Sequence, residues 1–164
     1  ERYYYRDKDN EPYSFDFKIK STHYLSSEKL FSKAIEILNN NLDSVKEGLI
    51  LLLQEKDSNI ELSMKNDYTY RFELFNMDHT IGSIIQSHIS RFSINDKSLL
   101  QMCGYKKTHP LEECIHLICS INQNHKSFKE EEKIRTQKVV QFLIDEIIAI
   151  QSNYQSILKS AEKE

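Results

Sequence analysis

Apolar residues recur at alternating steps of three and four residues along two long segments of the chain. The first segment follows Ser26 and Ser27, either of which can cap a helix, and the second follows Ser127-x-x-Glu130, a capping-box pattern. Each segment therefore predicts a helix of roughly thirty residues whose apolar stripe needs a partner helix of similar length. The stripes are Phe31, Ile35, Leu38, Leu42, Val45, Leu49 and Leu52 in the first segment, and Val140, Leu143, Ile147, Ile150, Tyr154 and Ile157 in the second.

Alternation of apolar and polar residues predicts β-strands in other parts of the chain. The predicted strands are Tyr13–Lys20, Ile60–Lys65, Tyr68–Phe75 and Ile115–Ile121, with a short extended piece at Cys103-Gly104-Tyr105. A turn is predicted at His109-Pro110.

A shorter amphipathic helix is predicted after Asp78-His79-Thr80, which offers N-cap chemistry. Its apolar face recurs with a helical period. The face consists of Ile81, Ile84, Ile85, His88, Ile89 and Phe92.

These elements predict an α+β fold in which an antiparallel sheet packs on helices. Two parts of the chain share one plan, a strand followed by a long helix, and we expect the two long helices to pair. The alternative is that they are unrelated helices of an ordinary α+β domain. Gly48 lies in the first stripe, where it suggests a close approach of the two helix backbones. The length of 164 residues predicts one domain, or two small ones that share a core.

Composition and charge argue against some classes of function. Of the 164 residues, 22 are basic and 25 acidic, and the resulting net charge of −3 argues against a surface that broadly grips a phosphate backbone. Three cysteines without a C-x-x-C pair suggest reduced thiols in an intracellular protein. No apolar run is long enough to cross a membrane. Because the chain begins with Glu1, we expect a fragment or a processed product.

Six histidines invite an enzyme interpretation, but their spacing does not support it. His79 and His88 are nine residues apart, which is not the spacing that brings two imidazoles on one helix to a single metal ion. We expect His88 to be a packed or interface histidine, His109 to have a role in its turn, and His116 to face solvent or a partner. No catalytic residue, metal site or cofactor is predicted; a small metal-dependent enzyme that uses His79, His88 or His109 stays open as an alternative.

Three ordered motifs carry a resemblance to a known family. They are Phe72-x-Leu-x-x-x-Asp78-His79-Thr80-Ile81-Gly82, Cys103-Gly104-Tyr105-Lys106 and His109-Pro110-Leu111-Glu112. The chain from about Ile60 to Ser160 resembles the smaller assembly subunit of multisubunit DNA-directed RNA polymerases, namely the archaeal L subunit, its eukaryotic counterpart and, more distantly, the bacterial alpha amino-terminal domain. Ser83 stands where that family usually has Asn, and the loop from Phe92 to Met102 is a few residues longer than usual.

The first segment is similar to the end of the larger partner subunit, the archaeal D subunit or its eukaryotic equivalent. The similarity covers Tyr13-x-Phe-x-Phe-x-Ile, then Leu25-Ser26-Ser27-Glu28 and the long helix. A chain that joins both parts resembles the fused form of large cytoplasmic DNA viruses. On that resemblance, residues 1–57 are the tail of the larger subunit and residues 58–164 are the small dimerisation domain.

The resemblance implies a noncatalytic platform on which the two large catalytic polymerase subunits assemble during transcription. It implies contacts with those subunits and with small polymerase subunits, no direct contact with nucleic acid or membrane, and no cofactor or metal. The location would be the cytoplasm, in a viral factory or virion, for a viral protein, and the nucleus for the cellular form. The alternative is a free-standing homodimeric helical adaptor.

Site residues follow from the same resemblance and from the predicted helix pairing. The partner interface is expected at Asp78, His79, Thr80, Ile81, Gly82, Ile85 and Ile89, and at Leu38, Leu42, Val45, Leu49, Leu143, Ile147, Ile150 and Tyr154. The turn that precedes the last strand is assigned to Gly104, Tyr105, His109 and Pro110.

Overall fold

A computed structural model describes residues 5, 8, 18–22, 24–66, 68–109 and 111–161. The chain divides into two compact units, Glu1–Ala34 and Ile35–Glu164. In the first unit, the Ser26 hydroxyl accepts a hydrogen bond from the Lys29 N–H at 3.3 Å, as expected of a helix cap. The predicted strand Tyr13–Lys20 lies mostly outside the described residues, and its last three residues are not in a strand. The predicted domain boundary after residue 57 stays a prediction.

The structure is α+β, as predicted, with an antiparallel sheet and three α-helices in the described residues. The four strands lie in the order β1-β2-β4-β3, and every neighbouring pair is antiparallel. The elements are α1 (Ser27–Leu53), β1 (Ile60–Asn66), β2 (Thr69–Phe75), α2 (His79–His88), β3 (Leu100–Lys106), β4 (Cys114–Ile121) and α3 (Glu132–Ala161), with a π-helical turn at Ile89–Ser93 and a 3-10 turn at Lys126–Lys129.

The alternating pattern of the central strands separates the sheet into two different faces. One face is buried in the core, whereas the other face is only partly covered. The core face carries Tyr70, Phe72 and Leu74 of β2 and Ile115, Leu117, Cys119 and Ile121 of β4. The outer face carries Arg71, Glu73, His116, Ile118 and Ser120, all half-buried. His116 therefore lies on the face opposite Ile115 and Leu117, as the alternation predicted.

The long helices α1 and α3 run antiparallel and pack together. In the C-terminal half of α3, the Gln151 amide donates to Asp43 Oδ1 at 3.0 Å and Lys46 Nζ donates to Gln151 Oε1 at 3.1 Å. Towards the other end, Lys133 Nζ lies 2.8 Å from Glu55 Oε1. The two apolar stripes meet in the same core cluster between these polar contacts. The stripe residues buried in this cluster are Leu42, Val45 and Leu49 of α1 and Val140, Leu143, Ile147 and Ile150 of α3.

Two local expectations are corrected. Gly48 does not mark an approach of the two helices: its missing side chain admits the start of β1, where a Cβ would overlap Asn59 Oδ1 and lie 2.9 Å from the Ile60 side chain. Ser58 Oγ also donates to the Gly48 carbonyl at 2.8 Å. The capping box does not start α3, because Ser127 is buried in the 3-10 turn and the Glu130 carboxylate binds Lys138 instead.

A pair of adjacent isoleucines on α3 tests the helix packing. Ile147 is 1% exposed and Ile148 is 47% exposed. We expect Ile147→Ala to lower the free energy of unfolding by about 2–5 kcal/mol, because it leaves a cavity in the core. Ile148→Ala, the matched control, should change it by no more than about 1 kcal/mol. Urea denaturation measures both values, and equal losses would contradict this packing.

Candidate functional site: the start of α2 and the paired helices

The start of α2 is fixed by its own acidic cap. Asp78 has an extended backbone, and its Oδ1 accepts hydrogen bonds from the Thr80 N–H at 2.9 Å and the Ile81 N–H at 3.3 Å. The Thr80 hydroxyl lies 3.3 Å from Asp78 Oδ2. The predicted N-cap is therefore confirmed, and a carboxylate suits the positive end of the helix dipole.

The expected interface residues of α2 fall on two different sides of the helix. Asp78, His79 and Thr80 are exposed, and so is Ser83 one turn further on. The remaining residues of the set are buried inside this chain: Ile81, Gly82, Ile85 and Ile89. Any partner that docks on α2 would meet the exposed side, and the interface role of the whole set stays a prediction.

Gly82 is buried against the side chain of Tyr105 on β3. A Cβ at Gly82 would lie 2.5 Å from a ring carbon of Tyr105 and 3.0 Å from the Ile115 side chain. The His79 ring meets the same tyrosine edge-on, with ring centroids 5.8 Å apart, and the Tyr105 N–H donates to Gln86 Oε1 at 3.3 Å. Two motifs that are distant in sequence thus meet in one contact.

The residues assigned to the turn do not all lie in a turn. Gly104 and Tyr105 lie within strand β3, which confirms the predicted extended piece and corrects their assignment to the turn. Strand β3 extends to Lys106 because it pairs with β4 through that residue. His109 does form a turn, since its Nδ1 accepts from the Leu111 N–H and its carbonyl accepts from the Glu112 N–H, both at 3.2 Å. Pro110 lies outside the described residues.

Most of the interface residues expected on α1 and α3 are buried inside the chain. Half-buried positions are Leu38 and Tyr154. The fully buried ones are Leu42, Val45, Leu49, Leu143, Ile147 and Ile150. Burial raises the pKa of Tyr154 above its ordinary value. At the rim, hydrogen bonds from Lys46 and Gln151 lower the pKa of Asp43, which favours its charged form in the inter-helix contact.

A shallow groove of about 230 Å³ lies between α2 with its π-helical turn and α3. Its lining includes Ile84, His88, Phe92, Ile150 and Tyr154. His88 is packed, as expected: its Nε2 lies 3.3 Å from Glu146 Oε2 and its ring stands 5.2 Å from the ring of Phe92. Ser93 Oγ donates to the same Glu146 oxygen at 2.6 Å, so this carboxylate links the π-helical turn to α3.

Phe92 departs from the predicted apolar face of the helix and is 70% exposed. The prediction extended a regular helical period to this residue. The chain instead forms a π-helical turn, in which the Ile94 N–H bonds to the Ile89 carbonyl at 3.1 Å, five residues back. The wider turn shifts the angular position of the residues that follow Ile89, and Phe92 leaves the core side.

The three histidines of the enzyme alternative do not converge. His79 contacts Tyr105, His88 contacts Glu146, and His109 caps its own turn. Among the described residues, the group of potential metal ligands that the structure does bring together is Glu73, Cys114 and His116. Sequence reasoning missed it, because the group depends on which residues of β2 and β4 are paired across the sheet.

Comparisons with known proteins give no family assignment. Neither a model of a known protein family nor the sequence of a curated protein matches this chain. None of the described helices is both long enough and apolar enough to cross a membrane.

The contact between Gly82 and Tyr105 generates a prediction with an internal control. Gly82→Ala should destabilise the fold by about 1 kcal/mol, because overpacking costs about 1–3 kcal/mol and alanine returns about 1 kcal/mol of helix propensity. Gly104→Ala should be nearly neutral, since a Cβ there would meet nothing within 4 Å. Chemical denaturation measures both changes. The effect of Gly82→Ala should shrink in a Tyr105→Ala background; an unchanged effect would mean that the ring is not the obstacle.

Proposed function

We propose that this chain is a noncatalytic assembly-platform subunit of a multisubunit DNA-directed RNA polymerase. In this role it would hold the two large catalytic subunits in position and contribute no active site of its own. The same proposal includes the fused arrangement, in which a larger-subunit tail is joined to a small dimerisation domain. It also includes the cytoplasmic location expected of a viral protein.

The antiparallel packing of α1 on α3 is the observation that carries the proposal. In the resembled family, the ends of two separate subunits pair through long helices. Here the corresponding stripes lie in a single chain and are buried in one hydrophobic core, with Gln151 bridging to Asp43 and Lys46 at the rim. This arrangement is what a fusion of the two partners requires.

The contact between two of the motifs gives a second line of support. The helix start that contains Asp78 and Gly82 and the strand that contains Tyr105 are separated in sequence, yet they share the Gly82–Tyr105 contact. A resemblance spread over distant segments is more informative when the segments meet in space, because the shared residues then have a shared structural reason.

The homodimeric adaptor is less consistent with this packing. That alternative needs the apolar stripes of α1 and α3 to be available to a second copy. In the structure Leu42 and Leu143 are almost fully buried within one chain. A second copy could use these stripes only after the two helices separate, which would expose a large part of the core to water.

An affinity purification tests the proposal. The tagged chain, expressed in its native source, should recover the two largest polymerase subunits in amounts equal to its own, as measured by quantitative mass spectrometry. Recovery of the chain alone, or only as a homodimer, would refute the platform role.

A pair of arginine substitutions locates the contact surface. Ser83→Arg adds a large charged group to the exposed side of α2, and Gln155→Arg adds the same group to an exposed position of α3. We expect Ser83→Arg to lower recovery of the large subunits at least about tenfold, which corresponds to about 1.4 kcal/mol, and Gln155→Arg to leave it unchanged. Equal recovery with both variants would remove α2 from the proposed interface.

A further inference from the structure

The outer face of the sheet brings three metal-binding types of side chain together. Glu73 of β2 is paired directly with His116 of β4. Cys114 lies two residues before His116 on the same strand, and therefore on the same face of the sheet. The ligand atoms of the three side chains, one carboxylate oxygen, one imidazole nitrogen and the thiol sulfur, all lie within 4.8 Å of one another.

We propose that Glu73, Cys114 and His116 form a binding site for a divalent transition-metal ion of the zinc class. A thiolate and an imidazole favour zinc over magnesium or calcium, which prefer oxygen ligands. Three protein ligands leave one tetrahedral position for water or for a group from a partner. This site is separate from the helix pair and does not depend on the proposed polymerase role.

The geometry requires only a small contraction of the side chains. A tetrahedral zinc ion with bonds of about 2.0–2.3 Å holds its ligand atoms roughly 3.3–3.8 Å apart. The present distances reach 4.8 Å at most, and His116 Nε2 lies 3.9 Å from Glu73 Oε1. Because β2 and β4 are the two central strands, paired on both sides, side-chain rotation rather than backbone movement would close the site.

Neighbouring groups suit a bound cation. Thr108 Oγ1 lies 3.2 Å from His116 Nδ1 and 3.4 Å from Nε2, so the hydroxyl can hold the imidazole ring by one nitrogen while the other binds metal. Glu61 is paired with Glu73 in the sheet, so two carboxylates lie side by side on this face. A cation beside them would relieve the repulsion between their charges.

Two cations near the site are compatible with metal binding. Arg71 Nη2 lies 3.2 Å from Glu73 Oε1, but Arg71 also donates from Nε to Ser63 Oγ at 2.9 Å. The guanidinium can therefore keep one partner while Glu73 turns a carboxylate oxygen to the ion. Lys106 is paired with His116 in the sheet register and is exposed, so its ammonium can extend into solvent.

Cobalt(II) is a suitable probe, because thiolate ligation produces a charge-transfer absorption that oxygen and nitrogen ligands do not. The reduced, metal-free full chain is titrated with Co²⁺ and then with Zn²⁺. We expect one equivalent of cobalt to produce a tetrahedral spectrum with the thiolate band, and zinc to displace it. Absence of the thiolate band in the wild-type chain would overturn the proposal.

Matched variants assign the ligands. Cys114→Ser should abolish the thiolate band, and His116→Gln and Glu73→Gln should each weaken cobalt binding at least about tenfold. Cys103→Ala and His109→Gln remove the same residue types outside the site and should leave the titration unchanged. A thiolate band that persists in Cys114→Ser would refute the assignment.

Thermal unfolding supplies a second readout that also reveals misfolded variants. Zinc should raise the melting temperature of the wild-type chain, because it binds the folded form, and should have no effect on Cys114→Ser. The melting temperatures of the two chains without metal show whether the serine variant is folded. An equal zinc-induced shift in both chains would place the metal elsewhere and refute the site. Failure here leaves the polymerase purification result unaffected, and the reverse also holds.

Discussion

Burial of two long apolar stripes is the constraint on which the rest of this structure depends. Neither α1 nor α3 can expose its stripe to water, and the core face of a four-stranded sheet alone offers limited cover. Packing the helices on each other and on the sheet places Leu49, Leu143 and Phe72 in one cluster. Hydrogen bonds at the rim, such as that from Gln151 to Asp43, help to align the two helices but bury little apolar surface.

The same packing makes the sheet asymmetric. The helices share a core with one face, while the opposite face keeps half-buried charged and polar side chains such as Arg71, Glu73 and His116. On an antiparallel sheet with one partly solvated face, the pairing register decides which of these side chains become neighbours. The convergence of Glu73 with His116 and Cys114 is therefore a product of register, and it arises on the face that the hydrophobic core does not need.

Local rules identified most of the elements, although the Ser127-x-x-Glu130 capping box did not mark the start of α3. Period-2 alternation identified β2 and β4, the helical stripes identified α1 and α3, and cap chemistry placed the start of α2 at Asp78. Such rules could not supply outcomes that depend on which segments meet. The Glu73–His116 pairing follows from strand order, the partner of Gly48 is β1 rather than a helix, and the exposure of Phe92 follows from a π-helical turn that the apolar spacing does not encode.

The residues of the Asp78–Gly82 motif have different structural roles. Asp78 caps α2, Ile81 fills the core, and Gly82 makes room for the ring of Tyr105, so the fold alone accounts for these three. Within the described part of the chain, the exposed imidazole of His79 makes an edge contact with Tyr105, and Ser83 is exposed as well. Because internal packing explains these two positions least, an argument for partner binding at this helix rests on His79 and Ser83 more than on the buried residues of the motif.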